Sequence, residues 1–434
     1  MSYLPQILFA LALGGAIWFF SKNVGQIRKN INLGRDVDRS DRKSDRWNNM
    51  LRVAFGQSKM QARPVAGVLH FIIYASFLII NIEVLEIIID GLFGTHRFFA
   101  PFLGSAYTSI ISFFEILAVA TVITVVIFWW RRNVMKIGRF HKPEMKGWPF
   151  KDANTILYIE VALMFALLNM NAVEQNMEGA SHSFLISNLI APLWSGLSEG
   201  ALHLAERSFW WVHILGILAF LNYLPYSKHF HIILAFPNTY FANLEAKGKF
   251  ANNAAVTKEV EMMMDPNADP FAAPAPDADA PVERFGAKDA TDLSWVNLLN
   301  AYTCTECGRC TSECPANLTG KKLSPRKIMM DTRDRIDEIG KNIAANGEFK
   351  DDGKSLLGDY ITQEELWACT SCNACVQACP VDIDPLNIIM QLRNFATMEE
   401  SSAPAELNAM MSNVENNGAP WPFSQMDRAN WINE

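Results

Sequence analysis

Five apolar segments in the first half of the chain constrain its fold more than any other feature of the sequence. The candidate membrane spans are Leu4 to Phe20, Val65 to Ile89, Tyr107 to Trp130, Thr155 to Met170 and Ser208 to Tyr226. Each is near the roughly 17–25 residues that a helix needs to cross a hydrocarbon core. Lipid cannot satisfy an open backbone, so each segment is predicted to be a helix. No comparable segment follows residue 240, which predicts a membrane half followed by a soluble half.

Basic residues between the spans indicate the orientation in the membrane. Segments 21–64 and 131–152 carry eighteen Lys and Arg residues, whereas 90–106 and 171–207 carry two. Because cytoplasmic loops are enriched in Lys and Arg, we expect a multi-pass protein of the cytoplasmic (inner) membrane with its N-terminus outside and its C-terminus inside. A cleaved signal peptide is the alternative for the first span, but that segment lacks a basic start and an A-x-A-like cleavage site. The net charge of −7 does not indicate a nucleic-acid partner.

All eight cysteines lie in two short runs of the form C-x2-C-x2-C-x3-C-P. The first run is Cys304, Cys307, Cys310 and Cys314, and the second is Cys369, Cys372, Cys375 and Cys379. In two-cluster ferredoxins, three cysteines of such a run bind one [4Fe-4S] cluster and the fourth binds the other. We therefore predict two [4Fe-4S] clusters with crossed ligands: Cys304, Cys307, Cys310 and Cys379 for one, and Cys369, Cys372, Cys375 and Cys314 for the other. Zinc is the alternative, but paired C-x2-C elements are typical of zinc and fit this spacing poorly.

The surroundings of the cysteines predict the domain organisation. Free thiolates belong in a reducing compartment, which favours a cytosolic cluster domain. The two runs are offset by 65 residues, and Ser324 to Ile343 between them has a Ser-Pro start and helix-forming residues, typical of an α-helical ferredoxin. Asp265 to Ala290 is rich in Asp, Ala and Pro and is predicted to be an extended linker. The predicted units are a transmembrane domain, a linker, a ferredoxin domain and a tail that docks a partner, at 1–240, 241–290, 291–400 and 401–434.

Three histidines in or near the spans are candidate ligands. A haem held by two histidines needs imidazoles from different helices at the same depth. His70 and His231 both lie near the cytosolic ends of their spans, and we predict that they are the axial ligands of haem b. On a continuous helix His213 would lie about 27 Å from His231, and we assign it to a quinone or a possible second haem. An intramembrane histidine that only bridges helices is the alternative. Four carboxylates at or within the spans are candidates for proton transfer to a quinone: Glu83, Glu86, Glu115 and Glu160.

The membrane half resembles the haem b gamma subunit of respiratory nitrate reductases. The resemblance lies in the five spans and in VLHFIIYASFLII and WWVHILGILAFLNYLPYSKHFHIILAFP. In that family's pattern, His70 and His231 match the ligands of the haem nearer the cytosol, and His213 matches one ligand of the distal haem. The partner of His213 in the pattern is replaced by Ile80. The resemblance therefore implies one haem b, with a second possible.

The soluble half is similar to the iron–sulfur part of membrane-bound electron-transfer-flavoprotein:menaquinone oxidoreductases, relatives of heterodisulfide reductase subunits. The similar segments are SWVNLLNAYTCTECGRCTSECPANLTGKKLSPRKI, LWACTSCNACVQACPVDI and NNGAPWPFSQMDRANW. Longer members continue into cysteine-rich CCG domains, whereas this sequence has no cysteine left for one after Cys379. The resemblance therefore implies a separate CCG-domain iron–sulfur subunit as a partner.

Together these features predict an all-α protein: a five-helix transmembrane haem-binding bundle plus an α-helical dicluster ferredoxin domain. The resemblance implies an electron-transfer subunit of a quinone oxidoreductase, which receives electrons from electron-transfer flavoprotein and delivers them to menaquinone in the lipid. The alternative is a menaquinol-oxidising subunit of a complex that reduces heterodisulfides or sulfur carriers, because the residues do not fix the direction of flow. A third interpretation is a non-enzymatic membrane anchor, but eight cluster ligands argue against an inert anchor.

Overall fold

The computed structural model describes residues 3–178, 182–250, 252–266 and 284–433, which are mostly helical. Within these ranges there is no β-strand, only two isolated bridges between single residues. The predicted all-α class is therefore confirmed.

Within the described ranges, five helices are long and apolar enough to cross a membrane, as predicted. They are α1 (Leu4–Ile31), α2 (Pro64–Phe93), α3 (Ser105–Asn133), α4 (Trp148–Glu174) and α5 (Glu199–Tyr223). Each of them begins or ends beyond the apolar segment that predicted it. Helices α1, α2 and α4 carry proline in their first turn. N–H groups in the first turn have no hydrogen-bond partner within the helix, so proline, which lacks an N–H, loses no hydrogen bond there.

The five helices close into a ring, because each packs against the next and α5 also packs against α1. Side chains that fill the interior include Phe9, Tyr107, Leu167 and Ile214, none more than 1% exposed. A Cβ atom on Gly91 would lie only 2.6 Å from the ring of Phe9. The absence of that atom allows α1 and α2 to approach each other closely.

The helical conformation is interrupted after α5, and this interruption is called the break below. Helix α5 ends at Tyr223, and the extended backbone of Ser227 (φ −118°, ψ 149°) interrupts the path to α6 (His231–Tyr240). Asp152 of α4 stabilises the break, because its carboxylate accepts hydrogen bonds from the Tyr223 hydroxyl (2.5 Å) and from the Lys228 N–H (3.1 Å). The continuous helix expected between the last two candidate histidines is therefore wrong, and the 27 Å spacing derived from it does not apply.

The second half of the chain is also helical. Its longer helices are α7 (Ala254–Met264), α8 (Trp295–Thr303), α9 (Pro325–Asn346), α10 (Pro385–Met398) and α11 (Ala405–Asn417). Short α-helices elsewhere in the described residues are Lys43–Met50, Ala100–Leu103, Ser187–Ile190, Arg309–Ser312, Pro315–Leu318, Gln363–Trp367 and Ala374–Ala378. Helix α9 corresponds to the helix predicted between the cysteine runs, and Ser324 caps it by accepting a hydrogen bond from the Lys327 N–H.

The two halves share one hydrophobic core. Ile27 and Ile31 of α1 and Leu234 of α6 belong to the same buried cluster as the cysteine-bearing domain. At the same contact, the Asn30 side chain donates a hydrogen bond to the Tyr302 hydroxyl (2.8 Å). The last turns of α1, beyond its predicted end, thus hold the second half against the bundle.

The predicted linker is only partly described. Helix α7 lies within the 241–290 unit but before the Asp-, Ala- and Pro-rich segment that begins at Asp265, and residues 267–283 of that segment lie outside the described residues. Ala287 and Ala290 are fully buried, and the Asp289 carboxylate pairs with Arg335 at 2.7 Å. These contacts put the start of the packed domain several residues before the predicted boundary at 291.

Candidate redox centres

Cysteines from both runs line one small cavity: Cys304, Cys307, Cys310 and Cys379. Cys304 and Cys307 belong to the loop that follows α8, Cys310 lies in the short helix Arg309–Ser312, and Cys379 directly follows the short helix Ala374–Ala378. Left-handed backbone at Glu306 (φ 53°) and Gly308 (φ 69°) curls that loop. The structure thus brings together the four side chains predicted for one cluster.

The second run forms a loop of the same kind. Ser371 (φ 55°) and Asn373 (φ 60°) are left-handed at the same offsets from the first cysteine as the two left-handed residues of the first loop. Cys314 lies close enough to Cys369 and Cys375 for its charge to act on both. Cys314 of the first run thus lies near the second run, and Cys379 of the second run lies near the first.

Burial controls the acid–base behaviour of these thiols. It raises the pKa of Cys304 and of Cys379 to about 12, and it raises the pKa of Cys310 and of Cys375 well above the usual value. A thiol in such surroundings stays protonated unless a bound metal supplies the positive charge that stabilises the thiolate. The four buried thiols therefore suit a metal centre better than a free nucleophile.

The donors at the first site are those that a [4Fe-4S] cluster uses. Such a cluster binds each of its four thiolates on a different iron, and four cysteines line the first cavity: Cys304, Cys307, Cys310 and Cys379. The donor set present fits the cluster.

Basic side chains that the sequence reasoning missed surround the first cysteine set. Arg309 donates a hydrogen bond to the Lys59 carbonyl oxygen (3.0 Å), and Arg326 donates to the Arg139 carbonyl oxygen (2.7 Å) and to the Glu144 carboxylate (2.7 Å). Burial lowers the pKa of Arg139 to about 10. These positive charges offset the negative charge of a thiolate-bound centre.

The second cysteine set lies nearer to solvent. Cys372 is the exposed cysteine of the eight. Arg393 covers the same loop, donating hydrogen bonds to the carbonyl oxygens of Cys369 (2.5 Å) and Leu366 (2.9 Å). Solvent therefore reaches the second cysteine set at the edge of this loop.

The imidazoles of His70 and His231 form a pair with ring centroids 6.4 Å apart and planes inclined by 43°. Two imidazoles that bind one metal from opposite sides, at about 2.0–2.1 Å per nitrogen, have ring centres roughly 6 Å apart. Nδ1 of His231 is 3.0 Å from the Lys228 carbonyl oxygen, which leaves Nε2 for a metal. Nδ1 of His70 is buried without a hydrogen-bond partner. The pair fits the two axial positions of a haem.

His229, two residues before His231, also lies beside this pair. Its ring packs edge-on against His231, with centroids 5.6 Å apart, and contacts Phe220 at 5.3 Å. Burial, followed by the charges of His231 and His70, lowers the pKa of His229 to about 3. Burial also lowers the pKa of His231. Both imidazoles are therefore neutral, the form that binds a metal.

Lys228 connects the histidine pair to the first cysteine run. Its ammonium group forms an ion pair with Glu306, which stands between the first two cysteines, and donates a hydrogen bond to the Pro149 carbonyl oxygen (2.6 Å). Glu306 also pairs with Arg333 at 2.8 Å. Burial alone would raise the pKa of Glu306, but Lys228 and Arg333 hold it below the usual value. The same Lys228 accepts the hydrogen bond of His231 through its carbonyl, so one residue contacts both sites.

His213 occupies a different environment. It is 2% exposed, and its Nδ1 lies 3.0 Å from the Leu163 carbonyl oxygen of α4. Ile80, which stands where a second axial histidine would be expected, packs in the same apolar cluster as Trp210 and Ile214. The roles predicted for His213, with a quinone or a second haem, stay predictions.

Comparison with known proteins supports the iron–sulfur interpretation. Residues 303–383 match the family model described as a 4Fe-4S dicluster domain. The match confirms the prediction that this part of the chain is an iron–sulfur domain. No solved structure matches the chain.

Three relatives indicate the general type of protein. The chain is 28% identical to the probable iron-sulfur-binding oxidoreductase FadF of Bacillus subtilis, over 99% of the chain and 61% of the relative. It is 24% identical to the EtfAB:quinone oxidoreductase of Syntrophomonas wolfei, over 92% of the chain and 55% of that protein. It is 35% identical to one subunit of the ferredoxin/F420H2-dependent CoB-CoM heterodisulfide reductase of Methanosarcina acetivorans, over 24% of the chain and 52% of that relative.

The chain spans 61% and 55% of the lengths of the first two relatives. The similarities support a redox function of the iron–sulfur oxidoreductase type, carried out by electron transfer. They leave the substrates and partners of the chain to be proposed.

Proposed function

We propose that the chain is a membrane-bound electron-transfer subunit that passes electrons between a soluble redox partner and menaquinone through two [4Fe-4S] clusters and haem b. Such clusters and haems, when bound, accept and donate single electrons. The residues of the chain bind these centres at fixed positions relative to one another and shield them from water.

The contact between the first cysteine set and the histidine pair carries this proposal. Glu306 of the cysteine loop pairs with Lys228, whose carbonyl oxygen holds His231. Arg309, near the same cysteines, donates a hydrogen bond to the Lys59 carbonyl oxygen (3.0 Å), in the segment just before the helix that carries His70. A cluster and a haem bound at these residues would therefore be neighbours, as transfer between them requires.

The ligand assignments follow the sequence prediction. Cys304, Cys307, Cys310 and Cys379 hold one cluster, Cys369, Cys372, Cys375 and Cys314 hold the other, and His70 and His231 hold haem b. The shared cavity of the first set and the 6.4 Å spacing of the imidazoles support these assignments. The exposure of Cys372 favours the second cluster as the one that meets the soluble partner.

The chain is proposed to lie in the cytoplasmic membrane with its cluster domain in the cytosol. The distribution of Lys and Arg, eighteen against two between alternate loops, supports this orientation. The eight cysteines, which pair in no disulfide, suit the reducing side of the membrane.

The proposed soluble donor is electron-transfer flavoprotein, acting through a separate CCG-domain iron–sulfur subunit. The name of the Syntrophomonas relative, EtfAB:quinone oxidoreductase, supports the donor. The tail over 401–434 supports a docking role, because its apolar side chains are exposed: Phe423, Met426, Trp431 and Ile432. Exposed apolar groups of this kind mark interaction surfaces.

The second candidate function is a menaquinol-oxidising subunit of a complex that reduces heterodisulfides or sulfur carriers. The similarity to a subunit of a CoB-CoM heterodisulfide reductase favours it. Both functions use the same centres and differ in the direction of electron flow.

Electron transfer in liposomes tests the proposal. The full chain is reconstituted with menaquinone, its clusters are reduced with electron-transfer flavoprotein or dithionite, and haem absorbance and menaquinol are followed. We expect haem reduction before menaquinol appears, and loss of menaquinol formation in His231→Ala. His203→Ala, a change at a side chain that is 60% exposed, is the matched control. Menaquinol formation at the normal rate without haem would contradict the proposal, and cluster reduction by added menaquinol alone would favour the second candidate.

A further inference from the structure

The end of the bundle opposite the cluster domain contains a buried polar network. Arg97, in the loop after α2, is 7% exposed. It donates hydrogen bonds to the Tyr107 hydroxyl (3.1 Å), to Asn171 Oδ1 (3.0 Å) and to the Glu174 carboxylate (2.9 Å). Tyr107 in turn donates to Glu86 at 2.6 Å. These five residues are called the Arg97 network below.

A further carboxylate extends the network into the bundle. Asn171 donates a hydrogen bond to Glu115 (3.1 Å), which also accepts the Ile186 N–H (2.8 Å) and pairs with the Ser187 hydroxyl. Glu115 is 1% exposed. Its charge is thus compensated by several donors, as a buried carboxylate requires.

Glu83 is the exception among these carboxylates. It lies on α2 three residues before Glu86, about one helical turn deeper in the bundle, and is 4% exposed. Its Oε2 atom has no hydrogen-bond partner. Glu86, one helical turn away on the same helix, accepts the hydrogen bond of Tyr107, so the Arg97 network reaches within about one turn of Glu83.

The Arg97 network reaches the surface at two places. Glu174 lies 3.1 Å from His96, whose side chain is 58% exposed. The ring of Tyr107 contacts His182, with centroids 5.2 Å apart, and His182 lines a polar cavity of about 510 Å³ together with Gln175 and other residues. Polar groups therefore run from the interior of the bundle to the surface far from the clusters.

A buried carboxyl group without a full set of partners costs free energy, and ionisable residues inside a bundle usually mark ion or proton pathways. We propose that Glu83 is a proton-transfer site, which exchanges protons with menaquinone during its turnover and passes them through the Arg97 network to the surface opposite the clusters. Arg97 itself stays charged and positions Tyr107 and Glu174.

The proposal rests on the proposed function and accounts for the protons of that reaction. Reduction of the quinone to the hydroquinone consumes two electrons, supplied through the redox centres, and two protons. Oxidation releases the same two electrons and two protons. Glu83 carries one proton at a time, as carboxylic acid or carboxylate, so the exchange is balanced in both directions.

The test compares Glu83→Gln with the unchanged chain in menaquinone liposomes. Glutamine keeps the shape of the side chain but cannot carry a proton. We expect menaquinone turnover, and the pH change reported by a dye on the side opposite the clusters, to fall roughly 10²-fold while haem and iron contents stay unchanged. Glu83→Asp should retain part of the activity. Glu178→Gln, an exposed carboxylate at the same end of the bundle, is the matched control.

Unchanged turnover and an unchanged pH signal in Glu83→Gln would overturn the proposal. If this variant loses haem or iron, Glu86→Gln replaces it, with the same loss of turnover expected.

If the unchanged chain does not turn over menaquinone, the proposed function fails, and the redox-induced infrared difference spectrum of the protein alone decides about Glu83. A carboxyl band that disappears in Glu83→Gln would support the proton-transfer site, and identical spectra would exclude it.

Discussion

At the scale of single residues, burial decides which side chains suit a metal. Cys304 and Cys379, with a pKa of about 12, would not ionise near neutral pH without a cation beside them. Burial keeps His231 neutral and therefore able to bind a metal. The same low-dielectric surroundings that disfavour a free thiolate or imidazolium thus favour a bound cluster or haem.

Replacement of His70 or His231 with Ala should abolish haem binding and leave both clusters in place. Each variant removes one of the two imidazoles that can reach the same metal, and the other cannot hold a haem through two axial bonds. Optical spectra of the reduced protein and iron analysis measure the outcome, with His203→Ala as control. A full haem spectrum in both variants would disprove the assignment.

Replacement of Cys379 with Ser should alter the cluster held by the first cysteine run, because Cys379 lines the cavity of that run. Cys314→Ser is the matched variant and should alter the other cluster. Electron paramagnetic resonance of the reduced protein separates the two. If Cys379→Ser alters only the cluster of the second run and Cys314→Ser only that of the first, each run binds its own cluster without crossing.

The cluster ligands could be predicted from the sequence because the motif is local: each run sets three cysteines in one short loop. The residues that surround these ligands could not be predicted from the sequence. Arg309, Arg326 and Lys228 come from distant parts of the chain and meet the sites only after folding, so no spacing in the sequence reveals them. His229 was missed because its position depends on the break after α5.

At the scale of helices, that break decides how the membrane half meets the clusters. The apolar pattern predicted α5 but not its end, because Pro225 alone does not show where the backbone turns. The stabilising contact comes from Asp152, 71 residues before Tyr223 in the chain. The break allows the Lys228 side chain to pair with Glu306 while the Lys228 carbonyl oxygen accepts a hydrogen bond from His231.

Replacement of Lys228 with Met should destabilise the protein and slow electron transfer from the clusters to the haem. Removing one partner of a buried ion pair costs up to about 3–5 kcal/mol, and the loss should be smaller here because Arg333 still pairs with Glu306. Thermal unfolding and the rate of haem reduction measure the two effects.

The double variant Lys228→Met with Glu306→Gln should recover part of the lost stability, because it removes both charges. Lys249→Met is the control, since the Lys249 side chain is 67% exposed. An unchanged melting temperature in Lys228→Met would show that the ion pair contributes nothing to the joint between the two halves.

At the scale of the whole molecule, the two halves form one body through a shared core. Hydropathy predicted the five long apolar helices of the first half, but not that the last turns of α1 belong to the core of the second half. Such contacts depend on tertiary packing, which periodicity does not reveal. The proposed orientation in the membrane is based on the distribution of charge alone and is open to direct test.

Protease added to inside-out membrane vesicles should cut the chain within 241–290 and expose the cluster domain, whereas right-side-out vesicles should protect it. The expectation follows from the excess of Lys and Arg in the loops on the cluster side. Immunoblots against the C-terminus measure the cleavage. Cleavage only in right-side-out vesicles would reverse the proposed orientation, and with it the side to which Glu83 would pass its protons.

The central claim is that one chain carries both clusters and haem in contact. Quantitative haem and non-haem iron analysis of the purified chain, with an optical spectrum of the dithionite-reduced protein, tests it most directly. We expect about one haem b and about eight non-haem iron atoms per chain. Two haems would require an axial partner for His213 that the present assignment does not contain. Iron without any haem would contradict the account of the membrane half and confine electron transfer to the clusters.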